Sequence, residues 1–303
     1  MNVRKSNNLP LVTVIIPTFN HAQHLKKALD SVVTQTFQDW EAVVVNNHST
    51  DDTVEVVAGM NDSRISLVNF HNHGVIGAAR NQGLKVARGE FVAFLDSDDV
   101  WYPQKLQRCV EQISGGGEFI CHGELWINSD KTSRKVFYGP VENSSYEKLL
   151  FRGNCISTST TFIKTELLRS IDGFDESPEI VTAEDYDLWL RLAATGAKTV
   201  FIKEILGEFH RLQNSASSAV LRNLSSELKV LQKHFRSQPN NILNTLKRRH
   251  RLAIANYGAA RQLHGRPGQS LRLFLKAFVL SPILIKIYPG VVLLLVGALK
   301  GSK

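Results

Sequence analysis

The sequence predicts an α/β fold with three parts: a doubly wound half built on a parallel sheet, a second half with a mixed sheet, and a basic helical extension. Two observations carry this reading. Short β-branched runs alternate with helix-spaced apolar residues through the first hundred positions. Charge then divides along the chain. Residues 1–220 hold 21 Lys and Arg against 27 Asp and Glu, whereas residues 221–303 hold 15 Lys and Arg and a single acid, Glu227. With 303 residues, 43% of them hydrophobic, the chain can bury the core of one large domain plus a tail, or of two modest domains.

The elements follow in order. Residues 12–16 are β-branched and read as a buried strand ended by Pro17. Residues 22–33 place Leu25, Ala28, Leu29, Val32 and Val33 at helical spacing. Residues 41–45 form a second strand, and residues 53–59 a short helix after the capping residues Ser49, Thr50 and Asp51. A third strand spans 65–69, a helix 78–87 and a fourth strand 91–95. Apolar strands joined by crossover helices give a parallel sheet covered on both faces. Ligands of such sheets bind at the carboxyl ends of the strands. That rule gathers Pro17, Thr18, Phe19 and Asn20 with residues 46–49 and 96–99. Farther on, helices are expected at 105–113 and 185–194, and strands at 118–127 and 160–163. Residues 221–280 read as helical and basic, up to the break at Ser281-Pro282.

Three cysteines, Cys109, Cys121 and Cys155, have no metal-ligand spacing and read as reduced thiols of a cytosolic protein. No signal-peptide core follows Arg4 and Lys5. The apolar stretch 283–299 is interrupted by Lys286, Tyr288, Pro289 and Gly290. It falls short of the roughly 20 residues a bilayer span needs, and is expected to lie in the interface.

Chemistry concentrates at two places. Asp96-Ser97-Asp98-Asp99 sets three carboxylates directly after a buried strand, where a hard divalent cation would neutralise them; a solvated loop, or Asp99 capping the next helix, is the plainer alternative. Glu184-Asp185-Tyr186-Asp187 crowds acids at a helix start, which by itself stabilises the helix. Beside a metal-bound diphosphate, a carboxylate there would instead act as general base. Phe19 suits stacking on a nucleobase or a place in the core. Asn47 offers both a donor and an acceptor to a base edge, or stabilises a turn. Arg80 is suited to a pyrophosphate or to a surface pair.

These segments, taken in order, resemble the family-2 (GT2) inverting glycosyltransferases. The resemblance runs through Val12 to Asn20, Ser31 to Phe37, Asn46 to Thr53, Gly77 to Gly83, Ala87 to Glu90, Phe94 to Asp99, Gly173 to Asp175 and Glu184-Asp185, over about residues 10–215. It implies a GT-A fold, with a Rossmann-like nucleotide-sugar half at about 10–105, a mixed-sheet acceptor half at 106–220, and the extension 221–303 outside it. It also implies roles. Asp98 would be a metal ligand, with Mn²⁺ or Mg²⁺ as cofactor and His210 as a further, weaker ligand. Pro17, Thr18, Phe19, Asn20, Asn47, Arg80, Asp96 and Ser97 would bind the nucleotide sugar, and Asp185 would be the catalytic base. Two departures stand out: Asn47 replaces the aspartate usual for reading uracil, and His210 sits two positions from the usual histidine.

The resemblance thus implies transfer of a sugar, from a UDP-sugar first of all, to a saccharide or lipid-linked hydroxyl acceptor in surface polysaccharide or glycolipid synthesis. Acceptor choice is expected to depend on residues 120–180. The basic extension is expected to dock the enzyme on the anionic cytoplasmic face of a membrane, or else to pack as a dimer interface. Rival readings are an inactive nucleotide-sugar binder and a nucleic-acid-binding protein using the basic tail. No nucleic acid is expected, because the acidic body would repel phosphate. A dehydrogenase would need a glycine-rich turn after the first strand, where Pro17-Thr18-Phe19-Asn20 stands.

Overall fold

The computed structural model describes residues 9–211, 219–263 and 266–290. Strand β1 (Val12–Thr18), β2 (Trp40–Asn46), β3 (Ile65–Asn69) and β4 (Phe91–Phe94) alternate with helices α1 (Ala22–Val33), α2 (Thr53–Gly59) and α3 (Ile76–Val86). The four strands pair in parallel, in the spatial order β3-β2-β1-β4. β1 and β2 are buried at every position, as strands covered on both faces must be. Val12, Val14 and Ile16 pack with α1 below the sheet, while Ile15, Val43 and Val45 pack with α3 above it.

The second half continues the same sheet with mixed polarity. β5 (Val100–Trp101) and α4 (Lys105–Glu111) come first, followed by β6 (Phe119–Asn128) and β7 (Ser133–Val136). Next are α5 (Tyr146–Arg152), β8 (Thr161–Lys164), α6 (Thr165–Ser170), α7 (Glu184–Ala194) and the long β9 (Thr199–Arg211). β8 runs antiparallel to β4, β6 antiparallel to β8, β9 parallel to β6 and β5 antiparallel to β9. The expected α/β architecture with a mixed second half is therefore present. Strands β5, β7 and β9 and helices α5 and α6 add to the elements expected from the sequence.

Three helices follow, α8 (Val220–Phe235), α9 (Ile242–Gln262) and α10 (Pro267–Leu280). α8 is part of the main body: Val230, Leu231 and Phe235 join the buried cluster of Trp189 and Phe119. Its Ser226 donates to the Val181 carbonyl at 2.6 Å, and His234 meets Asp187 at 3.0 Å. Burial opposes ionisation of Asp187, yet hydrogen bonds from His234 and Lys233 and the charge of Arg191 hold it well below the usual carboxylate range. Lys229 pairs with Glu179, Lys233 with Asp175 and Lys247 with Glu147. Part of the extension's positive charge therefore meets the acidic body itself. Residues 291–299 of the expected interfacial stretch lie outside the described residues.

A loop clamp positions the second half against the first. Asn81 on α3 donates to the Phe174 carbonyl at 2.9 Å and accepts from the Phe174 amide at 2.8 Å. Gly173 has φ +63°, and a Cβ there would stand 2.3 Å from the Asn81 Oδ1. Only glycine satisfies both conditions.

Candidate active site

The carboxyl ends of β1, β2 and β4 form one neighbourhood, as the strand-end rule requires. Pro17 and Thr18 are still inside the sheet, and the chain turns at Asn20 with φ +52°. Asn20 donates its amide to Ser49 Oγ at 2.9 Å and accepts from the Thr50 amide at 2.8 Å. Asp51 accepts from the Ala22 amide at 2.9 Å and from the Thr53 hydroxyl at 2.5 Å, joining the starts of α1 and α2. This lacing leaves Phe19 52% exposed at the rim, an aromatic face open to a planar partner. The Asn47 Oδ1 accepts from the Asn72 amide at 2.9 Å, which draws the loop after β3 over the same end. The rings of His48, His71 and His73 gather there, 5.9 and 4.3 Å apart in sequence.

The loop after β4 divides its three carboxylates by environment. Asp96 is bound to Arg80 at 2.7 Å, and its amide donates to Ser159 Oγ at 3.1 Å. Asp99 is buried and accepts from Ser159 Oγ at 2.5 Å and from the His210 amide at 3.1 Å. It thus joins β9 to the segment before β8. The start of α4, by contrast, carries no side-chain cap. Burial first, then Asp98 and Asp96, push the Asp99 carboxyl well up. Asp98 is half-buried. Burial and then Asp96 raise its carboxyl, against weaker opposition from the nearby His21 and His210 rings. Ser97 Oγ lies 3.1 Å from His21 Nδ1, and His210 Nε2 lies 3.0 Å from Glu208.

Among the described residues, no group of three or more His, Cys, Asp and Glu side chains forms a metal cage. The Asp96 and Asp98 pair nevertheless fits a hard cation. Ions of the Mg²⁺ type are held by one or two carboxylates and complete their shell from phosphate oxygens. A like-charge pair with a raised carboxyl is the environment that such an ion relieves.

Arg80 links this loop to α7. Its side chain is 3% exposed, with one terminal nitrogen on Asp96 and the other on Glu184, both at 2.7 Å. The other Glu184 oxygen accepts from the Thr182 amide at 2.7 Å. Thr182 has φ +83°, a strained conformation for a β-branched residue, costing on the order of 1–3 kcal/mol. Glu184 is therefore fully committed to holding this turn. Asp185 is different: it accepts from its neighbour's amide, Tyr186, at 2.6 Å, and from Thr158 at a long 3.4 Å. Burial, then the charge of Glu184, push it up to about 7, with Arg80 opposing. Of two adjacent acids, Glu184 is held by Arg80 and the Thr182 amide, whereas Asp185 has the looser contacts and the raised carboxyl.

The structure thus brings Phe19, Asn20 and Asn47 to one rim, with Pro17 and Thr18 buried in the sheet behind it. Asp96, Ser97, Asp98 and His210 lie beside it, and Arg80 carries the connection to Asp185. It gives Arg80 two carboxylate partners within the protein. Sequence reading did not single out Glu184 as the anchor of Arg80, nor Ser159 and Thr158 as partners of Asp96, Asp99 and Asp185. Nothing in a Thr-Ser-Thr-Thr run marks it as the floor of a site.

Comparison with known proteins agrees with this geometry. The profile described as glycosyl transferase family 2 matches residues 13–168, and glycosyl transferase family group 2 matches residues 91–299. The putative teichuronic acid biosynthesis glycosyltransferase TuaG of Bacillus subtilis is 32% identical, over 70% of this chain and 84% of its own length. The Escherichia coli UDP-Glc:α-D-GlcNAc-diphosphoundecaprenol β-1,3-glucosyltransferase WfgD is 33% identical, over 73% and 85%. Among solved structures, S. aureus TarS 1–349 superposes with a TM-score of 0.64 at 20% identity, over 89% of this chain and 81% of that one. The mannosyltransferase PcManGT of Pyrobaculum calidifontis, in complex with GDP-Man and Mn²⁺, gives 0.63 at 18%, over 97% and 81%. These two show the fold, which is that of GT-A glycosyltransferases. The match over more than half the chain, joined to the curated relatives, establishes that this protein is a glycosyltransferase belonging to glycosyl transferase family 2.

Proposed function

We propose that this enzyme transfers a sugar, with inversion, from a nucleoside-diphosphate sugar to a hydroxyl of a lipid-linked saccharide in surface polysaccharide or glycolipid assembly. The observation that carries the reading is the Arg80 bridge, whose buried guanidinium pairs with Asp96 of the loop after β4 and with Glu184, the neighbour of Asp185 at the start of α7. The donor nucleotide lies along Pro17 to Asn20 with its base on Phe19 and Asn47. UDP-sugars lead, and the asparagine's amide oxygen still has a second lone pair to accept from a ring N–H.

Asp98, with Asp96 beside it, would hold Mn²⁺ or Mg²⁺; His210 is the weaker candidate ligand. The ion, when bound, supplies charge to the departing diphosphate. The protein does the rest. Asp185 accepts the acceptor hydroxyl's proton at its carboxylate oxygen. Arg80 and Glu184 hold the α7 turn that presents it, and no residue is needed as covalent nucleophile. On this reading the nucleotide half spans about residues 10–105 and the acceptor half residues 106–220. An α-linked donor should therefore yield a β-linked product by NMR of the purified glycolipid. An α-linked product would contradict single displacement.

No described helix is long and apolar enough to cross a membrane. One end of the α9–α10 pair is instead apolar and exposed. Ile242 is 82% and Val279 69% exposed, with Leu246, Ile283 and Ile285 also in solvent. Arg249 donates to the Val279 and Leu280 carbonyls, tying the two helices together at that end. With Lys276 and Lys286 on the same two segments, this edge suits peripheral docking on an anionic surface, worth about 1 kcal/mol per basic residue. The protein should sediment with phosphatidylglycerol vesicles and not with phosphatidylcholine ones. Ile242→Asp with Leu246→Asp should abolish this, and undiminished sedimentation of the double variant would rule the edge out.

A further inference from the structure

A cavity of about 420 Å³ opens against Asp185, within the range of roughly 300–1,000 Å³ typical of small-molecule sites. One wall is the start of α7, with Thr182 and Asp185; the facing wall is built by α8 and α9, with Glu227, Arg251 and Gly258. Apolar and polar groups mix along it, Leu224 and Ala255 beside Glu227 and Gln262, as a saccharide with both C–H faces and hydroxyls requires. Arg251, its side chain 2% exposed, and Thr182 line the cavity, and among the described residues Arg251 Nε and Thr182 Oγ1 find no hydrogen-bond partner. Both atoms are sealed from water, and a buried unsatisfied polar group costs about 1–3 kcal/mol, so a hydrogen-bonding occupant that a small side-chain shift lets reach them would recover that cost.

Arg251 is held in place from two sides. Its guanidinium is ion-paired with Glu227 and lies 5.9 Å from the Tyr186 ring centroid. It also packs over Gly153, where a Cβ would come within 3.4 Å of it and where φ is +111°. Chain crossing from the extension is thus fixed next to the proton-accepting carboxylate.

We infer that this cavity is the acceptor-saccharide site, and that the C-terminal helices α8 and α9 supply its recognising wall through Glu227 and Arg251. The inference rests on the assignment of Asp185 as the base. It extends acceptor recognition from residues 120–180, where the sequence placed it and where Arg152, Gly153 and Asn154 line the cavity, into the basic extension. It also gives that extension a role separate from membrane docking, since the apolar edge lies at the opening turn of α9 and the cavity in its second half.

Gly258 provides the test. A Cβ at this position meets no atom of the described residues within 4 Å, and leucine favours a helix over glycine by about 0.5–1 kcal/mol, so Gly258→Leu should fold and fill the cavity. Gly258→Ala is the control, and Gln262→Trp fills the same space from an exposed position. The assays use the full chain, the nucleotide sugar that most stabilises it, and lipid-linked saccharides extracted from membranes of the producing cells. Gly258→Leu and Gln262→Trp should lose at least tenfold in acceptor transfer through KM. Donor hydrolysis without acceptor and nucleotide-induced thermal stabilisation should stay within twofold of wild type. Wild-type transfer by both filled variants overturns the inference, as does parallel loss of donor hydrolysis in folded variants. Wild-type enzyme that neither transfers nor hydrolyses would instead overturn the proposed function beneath it.

Discussion

Asp185→Asn is expected to lower transfer by about 10²- to 10⁴-fold, the usual contribution of a positioned general base, while nucleotide binding stays intact. Asparagine keeps the shape and the acceptor oxygen facing the Tyr186 amide but takes no proton. As the proposed base, the same residue should set the pH dependence. Burial and Glu184 push its carboxyl up to about 7, so its basic form is scarce in mild acid. The rate kcat/KM should rise tenfold per pH unit below about 7 and level off above it, and this limb should vanish in Asp185→Asn. Stability runs the other way. A carboxyl with a raised folded pKa favours the fold below its unfolded value near 3.9, and that contribution is lost as pH rises toward about 7. Activity and stability thus trade across one titration. A flat rate profile between pH 5 and 7 would contradict the assignment.

Arg80→Met is expected to destabilise the protein by about 3–5 kcal/mol, read as a shift of the urea midpoint at unchanged slope. Removing the guanidinium leaves Glu184, 7% exposed on its side chain, and Asp96 without their cation. Methionine fills much of the space, so lost charge rather than a cavity dominates. Arg80→Lys should rescue only part, since one ammonium cannot span two carboxylates on opposite sides as a planar fork does. The double variant Arg80→Met with Glu184→Gln should recover stability relative to Arg80→Met, because it removes the orphaned buried charge. A change under 1 kcal/mol in Arg80→Met would show the bridge to be dispensable.

The parallel half was legible because β1, β2 and β4 are short, mostly apolar and β-branched runs, and the loops at their ends carry Phe19, Asn47 and Asp98. Strand β9 was not. Lys203 and Glu204 interrupt its apolar alternation, and its pairing with β6 shifts register around Gly123. The role of Arg80 depends on Glu184, 104 residues away, and no local pattern encodes such a pair. Asp99 read equally well as a cap or a ligand, and its actual partners come from far along the chain, Ser159 from the turn before β8 and His210 from β9. The extension shows the same limit. Its composition signalled an anionic partner, and one such partner proved to be Asp175, Glu179 and Asp187 of the body. Charge names the chemistry of what covers a helix, while the fold decides which surface provides it.

Thermal unfolding with UDP, GDP, CDP and dTDP, each with and without Mn²⁺, on wild type and Asp98→Ala, tests the donor site most directly. One nucleotide should stabilise the wild type only with metal, by about 2.7 kcal/mol at a hundredfold excess over Kd, and Asp98→Ala should lose the effect. Stabilisation that needs no metal and persists in Asp98→Ala, or none by any nucleotide, would contradict a cation-assisted donor site at the end of β4.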